Sequence, residues 1–88
     1  LGVCVEFNGI AFHPKHGRYS ENDYFKNPFD SQCQLVSDIW KKEKHRYDSL
    51  ESEYGIKTFV VWEDHYKKDK TKCICSVINN IIKSSQSE

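Results

Sequence analysis

The sequence predicts an α/β fold built on a β-α-β-α unit. Two short apolar stretches, 2–8 and 56–62, are typical of strands, and helical patterns occupy 31–54 and 71–83. A long helix between two apolar strands is typical of a βαβ unit with parallel strands and a right-handed crossover. Two strands form too small a sheet to stand alone. We therefore expect more strands before Leu1 or a hairpin within 10–20.

The first strand, residues 2–8, alternates between two faces. We expect its apolar face to pack in the core through Val3, Val5 and Phe7. The other face carries Glu6 and Asn8, and Gly9 then permits a tight turn. Pro14 restricts the preceding His13 to extended conformations. An acid, an amide and a histidine thus occupy one short span, although a solvated polar edge is the alternative interpretation.

The long helix is predicted to begin at an N-cap in Asp30-Ser31 and to stop at Gly55. Its residues repeat at steps of four and three, which places one stripe on a single face. The stripe consists of Val36, Trp40, Glu43, Tyr47, Leu50 and Tyr54. Burying an unpaired carboxylate costs several kcal/mol. Glu43 therefore has a partner or faces a cavity; a lysine partner is the structural alternative.

The rest of the chain is predicted from composition and pattern. Residues 14–30 form a long loop with aromatic anchors, and such loops are often functional. The unbroken apolar run in 56–62 predicts a strand covered on both faces. A charged connection, 63–72, precedes the last helix, 71–83, which we expect to turn Cys75, Ile78, Ile81 and Ile82 inward. The tail is expected to fray.

Length and charge narrow the function classes. The 88 residues form one domain, and we expect it to be the C-terminal fragment of a longer multidomain protein because it starts with Leu1. Lys+Arg and Asp+Glu each number 13, a balance that weighs against a free-standing nucleic-acid binder. A domain that is held on DNA by a neighbouring domain does not itself need a positive net charge. No membrane span or signal peptide is visible, so no membrane partner is expected.

The four cysteines predict reduced thiols and, from those, an intracellular protein. Cys73 and Cys75 are spaced too tightly for the usual zinc pair. A small zinc-binding interaction domain that uses Cys73, Cys75, His65 and His16 remains an alternative. The basic residues of 41–46 and 67–72 are candidates for phosphate contacts, or simply a solvated face.

The string "VEFNGIAFH", then a loop, a long helix and "YGIKTFVVWE", resembles the very-short-patch-repair (Vsr) endonucleases. It is also similar to phage homing endonucleases built on that fold, the EDxHD lineage. The resemblance covers residues 2–64. It implies a PD-(D/E)xK-like mixed sheet with flanking helices, and a Mg²⁺-dependent endonuclease that cuts double-stranded DNA, as a homodimer in the full-length protein and in the cytoplasm of a bacterial or phage-infected cell.

The resemblance also implies site residues. His13 matches the catalytic histidine, Asn8 a further catalytic position and Glu6 the acidic, metal-binding place. The helix acid is Glu43, or Asp48 in the competing alignment. Phe12 matches one of two aromatics that wedge into DNA. Together with nearby basic side chains, the expected DNA contacts are Phe12, Lys15, His16, Lys41 and Lys44.

Two departures from the family matter. The central metal-binding Asp of the family falls upstream of Leu1. The places that hold a structural zinc in the repair enzymes read Lys15, Gly17 and Asp64, so no structural zinc is expected. These departures sustain an alternative function, a non-catalytic DNA-binding or dimerisation module on a nuclease fold.

Overall fold

The computed structural model describes residues 2–86 and has a mixed α/β architecture. Its elements in chain order are β1 (Gly2–Asn8), β2 (Tyr24–Phe25), β3 (Gln34–Leu35), α1 (Val36–Tyr54), β4 (Ile56–Trp62), α2 (Glu63–Lys68) and α3 (Lys70–Gln86). A small parallel sheet with flanking helices confirms the predicted α/β class.

The main sheet pairs β1 with β4 in parallel, as the βαβ pattern predicts. Glu6 lies opposite Val60 and Asn8 opposite Trp62, so the carboxyl ends of both strands meet at one edge. Helix α1 makes the crossover and ends at Gly55, whose φ of 66° is the left-handed conformation that glycine adopts most readily.

The predicted N-terminus of the long helix was wrong, because α1 begins at Val36 and not near Asp30-Ser31. The preceding residues instead form β3, which pairs antiparallel with β2. The loop also supplies the first helical turn with acceptors, since Val36 N donates to Asp23 O at 2.8 Å and Ser37 N to Glu21 O at 3.2 Å. Long-range backbone pairing thus replaces the expected side-chain cap.

The predicted hairpin within 10–20 was also wrong. The described structure has only an isolated bridge there, between His16 and Tyr19. The antiparallel pair lies later in the long loop, where Phe25 is buried against the Tyr19 ring. Of the aromatic side chains predicted to anchor this loop, only Phe25 is buried, whereas Tyr24 and Phe29 are 67% and 87% exposed.

The stripe on α1 faces the sheet largely as predicted. Its members up to Leu50 are buried or half-buried, whereas Tyr54 is 69% exposed at the end of the helix. Helix α1 packs mainly on β4. The face of the sheet that α1 covers is the one that carries Glu6 and Asn8.

The opposite face is covered only in part. Val61 of β4 is buried beneath α2 and α3, but the paired apolar side chains of β1 are not: Val3, Val5 and Phe7 are 45%, 52% and 54% exposed. Phe7 makes an edge contact with the Tyr66 ring. The prediction that all three pack in the core was therefore wrong, because α3 lies over β4 rather than over β1.

The side of helix α3 that faces the sheet shares only Ile81 with the side that was predicted. Cys75, Ile78 and Ile82 are exposed, and the half-buried side runs instead through Cys73, Val77 and Ile81. Apolar residues occupy two adjoining sides of this helix, so its pattern did not determine which side packs. The charged connection before it forms α2. No helix within residues 2–86 combines the length and apolar character needed to cross a membrane.

Candidate active site at the carboxyl edge of the sheet

His13 and Glu43 form the central pair of the candidate site. Nδ1 of His13 lies 3.1 Å from Oε1 of Glu43, and the two side chains are 31% and 22% exposed. A carboxylate only accepts hydrogen bonds, so Nδ1 donates and Nε2 is left as the acceptor nitrogen of the imidazole. The pair answers why the apolar stripe of α1 contains an acid.

The position of His13 is set by the backbone around it. The amides of Phe12 and His13 both donate to Gly9 O at 3.1 Å, which closes the turn after β1. Pro14 is fully buried, and the Trp40 indole donates to its carbonyl oxygen at 2.8 Å. The turn is thereby attached to α1 one helical turn before Glu43.

Glu6 lies beside this pair and is bound to α1. Nη2 of Arg46 donates to both carboxylate oxygens, at 2.8 and 3.0 Å, and the Tyr47 hydroxyl donates to Oε2 at 2.5 Å. Charge-assisted hydrogen bonds of this kind are stronger than neutral ones. The cluster connects β1 to the inner face of α1.

These contacts shift the pKa values of two groups. Burial raises the pKa of the Glu6 carboxyl, but the hydrogen bonds from Tyr47 and Arg46 outweigh it, and the net pKa is lowered. Burial, followed by the hydrogen bond to Glu6, raises the pKa of Tyr47 to about 12. Glu6 is therefore held as an anion and Tyr47 as a neutral donor.

Asn8 is the most buried polar residue of the site, with 2% of its surface exposed. A hydrogen bond with the Asn8 amide lowers the pKa of Tyr47, but burial and Glu6 have larger effects in the opposite direction. Within residues 2–86 no hydrogen-bond donor reaches its buried Oδ1. Asn8 thus lies buried next to Tyr47.

The two candidate helix acids lie in different environments. Glu43 meets His13, whereas Asp48 is 62% exposed and accepts a hydrogen bond from Lys44 at 2.9 Å. Asp48 and Lys44 are one turn apart on α1, and both side chains are mostly exposed. The structure brings Glu43 and not Asp48 to the histidine.

Lys15 does not lie on an open surface. Its ammonium donates to Asp64 Oδ2 at 2.8 Å, lies 2.7 Å from His65 Nε2, and is only 13% exposed. Lys15 and Asp64 are two of the places at which the resemblance departs from the zinc-binding enzymes. The two residues form a direct ion pair between the loop and α2.

The remaining predicted DNA contacts lie around the site. His16 stacks on Trp40 with ring centroids 3.8 Å apart, and Phe12, 41% exposed, stacks on Phe29 at 5.5 Å. Lys41 and Lys44 are exposed on α1. The stacked pair of Phe12 and Phe29 presents exposed aromatic surface next to the His13 turn.

Two concave regions flank the sheet. A groove of about 320 Å³ runs along α1 and is lined by His16, Trp40, Glu43, Lys44, Tyr47 and Asp48. A larger cavity of about 540 Å³ lies between the end of β4 and α2–α3, with Lys68 and Lys72 among its lining residues. We place the candidate site at the smaller groove, because it contains Glu43 and adjoins the acid–base pair.

The residues present do not form an evident Mg²⁺ site. Mg²⁺ binds oxygen ligands in octahedral geometry, mostly carboxylates and water. Both oxygens of Glu6 already accept hydrogen bonds from Arg46. Among residues 2–86, no group of three or more His, Cys, Asp and Glu side chains is placed to hold a metal ion, and this includes the zinc-site alternative.

The sequence interpretation missed the central role of Arg46 and Tyr47. Arg46 was one of several basic residues in 41–46, and Tyr47 one member of an apolar stripe. A signal was available, because positions three and four residues after Glu43 lie on its side of the helix. Their contact with Glu6, 40 and 41 residues away in sequence, has no local signature.

Comparison of the chain with family models, curated proteins and solved structures found no match in any of the three. We therefore infer the function of this domain from its residues and their geometry.

Proposed function

We propose that this domain is a DNA endonuclease that hydrolyses phosphodiester bonds, on a Vsr-like PD-(D/E)xK fold. The observation that supports this most directly is the contact between His13 and Glu43 at 3.1 Å, beside Glu6 and Asn8. A histidine oriented by a carboxylate is a recurrent arrangement for general base catalysis. The carboxyl edge of parallel strands is also where α/β proteins commonly bind ligands.

The proposed reaction uses Nε2 of His13 as the base. A water oxygen attacks phosphorus as its proton passes to Nε2, the bond from phosphorus to the sugar oxygen breaks, and that oxygen takes a proton from solvent. Glu43 holds the Nδ1 proton and stabilises the imidazolium that forms. Phe12 and Phe29 offer stacking surface for bases, while Lys41 and Lys44 offer charge for the backbone.

The experiment is cleavage of supercoiled plasmid by the wild-type protein and by His13→Ala. Loss of the base is expected to lower the cleavage rate by roughly 10² to 10⁴-fold. DNA affinity should change little, because a neutral imidazole supplies little of the phosphate attraction. His45→Ala is the matched control, since His45 is exposed on α1 and is not among the residues that line the groove. Equal cleavage by wild type and His13→Ala would falsify the assignment.

Dependence on Mg²⁺ stays a prediction and has its own test. Cleavage is compared in Mg²⁺ and in EDTA, with the His13→Ala protein in both. Full activity in EDTA that still requires His13 would remove the metal from the proposal and leave the nuclease in place.

One observation favours the alternative, a non-catalytic DNA-binding or dimerisation module. The apolar side chains of β1 are about half exposed, and a second copy of the chain is one way to cover them. The same plasmid assay separates the functions, since this module would bind DNA without cutting it. Sedimentation of the protein tests the proposed homodimer.

A further inference from the structure

Arg46 differs from the other cations near the His13–Glu43 pair. Lys15 is enclosed by Asp64 and His65, and Lys44 is paired with Asp48 along the groove on α1. Arg46 lies on the inner side, bound to Glu6, and remains 50% exposed. It is therefore the cation within residues 2–86 that combines contact with the site's carboxylates and access to solvent.

Only one nitrogen of the guanidinium forms hydrogen bonds with the described residues. Both oxygens of Glu6 accept from the same nitrogen, Nη2, at 2.8 and 3.0 Å. A guanidinium has five N–H donors in a planar fork. Among the described residues no acceptor is bonded to Nη1 or Nε, so part of the fork remains available to a ligand.

The packing around Arg46 fixes its place as well as its charge. The guanidinium carbon lies 4.8 Å from the centre of the Tyr47 ring, and Tyr47 donates to the same carboxylate. A neutral Tyr47 and an anionic Glu6 thus support the guanidinium on two sides. Such prior orientation lowers the entropy lost when an arginine binds a phosphate.

From this geometry we propose that Arg46 is the phosphate-binding residue of the site, with Glu6 and Tyr47 as the residues that position it. The ligand is the phosphodiester group that His13 acts on, so this inference rests on the proposed nuclease function. Arg46 would contact the non-bridging oxygens through its free donors and stabilise the charge that develops on them. Glu6, expected from the sequence to bind metal, would instead hold a guanidinium.

The first experiment measures binding without cleavage. A short labelled duplex DNA is titrated with wild type, Arg46→Ala and Lys83→Ala over a range of salt concentrations, where dissociation constants on the order of 10⁻⁴ to 10⁻⁶ M are expected. Loss of one phosphate contact should reduce the slope of log K against log salt by about 0.9 for Arg46→Ala. Lys83→Ala is the control, because it removes an exposed positive charge from α3, on the other side of the sheet, and should leave the slope unchanged. An unchanged slope for Arg46→Ala overturns the inference.

The second experiment uses Arg46→Lys, which keeps a positive charge next to Glu6 but lacks the planar fork. Cleavage should fall at least about tenfold, mainly in kcat, while the melting temperature stays close to that of wild type. If Arg46 only neutralises Glu6, lysine replaces it and cleavage remains at the wild-type rate; that result overturns the inference.

The two experiments also separate this inference from the proposed function. If cleavage requires His13 but is unchanged in Arg46→Lys, the proposed role of Arg46 is rejected and the nuclease function is retained. If the salt slope falls in Arg46→Ala but the wild-type protein does not cut DNA, the phosphate contact is supported and the nuclease function is rejected.

Discussion

On the two faces of the β1–β4 sheet, the usual relation between apolar character and burial is reversed for β1. The face beneath α1 carries the charged and polar residues of β1. Glu6 is half-buried and accepts hydrogen bonds from α1, and Asn8 is buried. The opposite face of β1 is apolar and about half exposed. Covalent alternation assigns side chains to faces, but the position of the helices decides which face is covered.

Apolar character was therefore a poor guide to burial in β1. Glu6 is 25% exposed as a side chain, whereas Val5 beside it is 52% exposed. An ion can be accommodated under α1 because Arg46 and Tyr47 satisfy its oxygens. The polar face thus has its partners in the chain, and the candidate site lies on that face.

The largest expected effect tests whether function lies on the α1 side. Glu43→Ala removes the group that orients His13, and we expect cleavage to fall roughly 10- to 100-fold, as for other residues that orient a histidine. Asp48→Ala removes the competing helix acid, which is 62% exposed and paired with Lys44 rather than with His13, and should cut at nearly the wild-type rate. Equal losses in both variants would indicate a general effect of helix charge.

The next prediction compares the stability lost when two valines on the apolar face are truncated. Val61 is 4% exposed and Val5 is 52% exposed, although both lie on the side of α2 and α3. Val61→Ala should lower the free energy of unfolding by about 1.5–3 kcal/mol and Val5→Ala by less than about 0.5 kcal/mol. Urea unfolding of both variants provides the measurement. A comparable loss for Val5→Ala means that a second copy covers β1, and the loss would then depend on protein concentration.

The smallest effect is a pH dependence on the polar face. The pKa of Glu6 is lowered from 4.5, so its stabilising contribution is present above that value and is lost as the pH falls through the lowered pKa. Glu6→Gln should be less stable than wild type by about 1–2 kcal/mol at pH 7, and the difference should shrink below pH about 4.5. Urea unfolding at pH 7 and pH 3.5 checks this. A constant difference would show that the carboxylate's charge contributes nothing.

Local pattern alone determined several features of this protein. The alternation of 2–8, the apolar run of 56–62 and the stripe of α1 predicted a parallel βαβ unit, and the structure confirms it. The acid within the stripe predicted that Glu43 has a partner or faces a cavity, and the structure gives it His13 as a partner. These features are short-range, because strand and helix periodicity and the cost of a lone buried charge act at each position.

Only the tertiary structure decided the rest. The start of α1 depends on carbonyls from Glu21 and Asp23, and the side of α3 that packs depends on the arrangement of α2 and α3 against β4. The contact between Glu6 and Arg46 joins residues 40 positions apart, and neither residue signals the other locally. Such contacts form when separate elements pack together, so their partners are set by the relative positions of whole helices and strands.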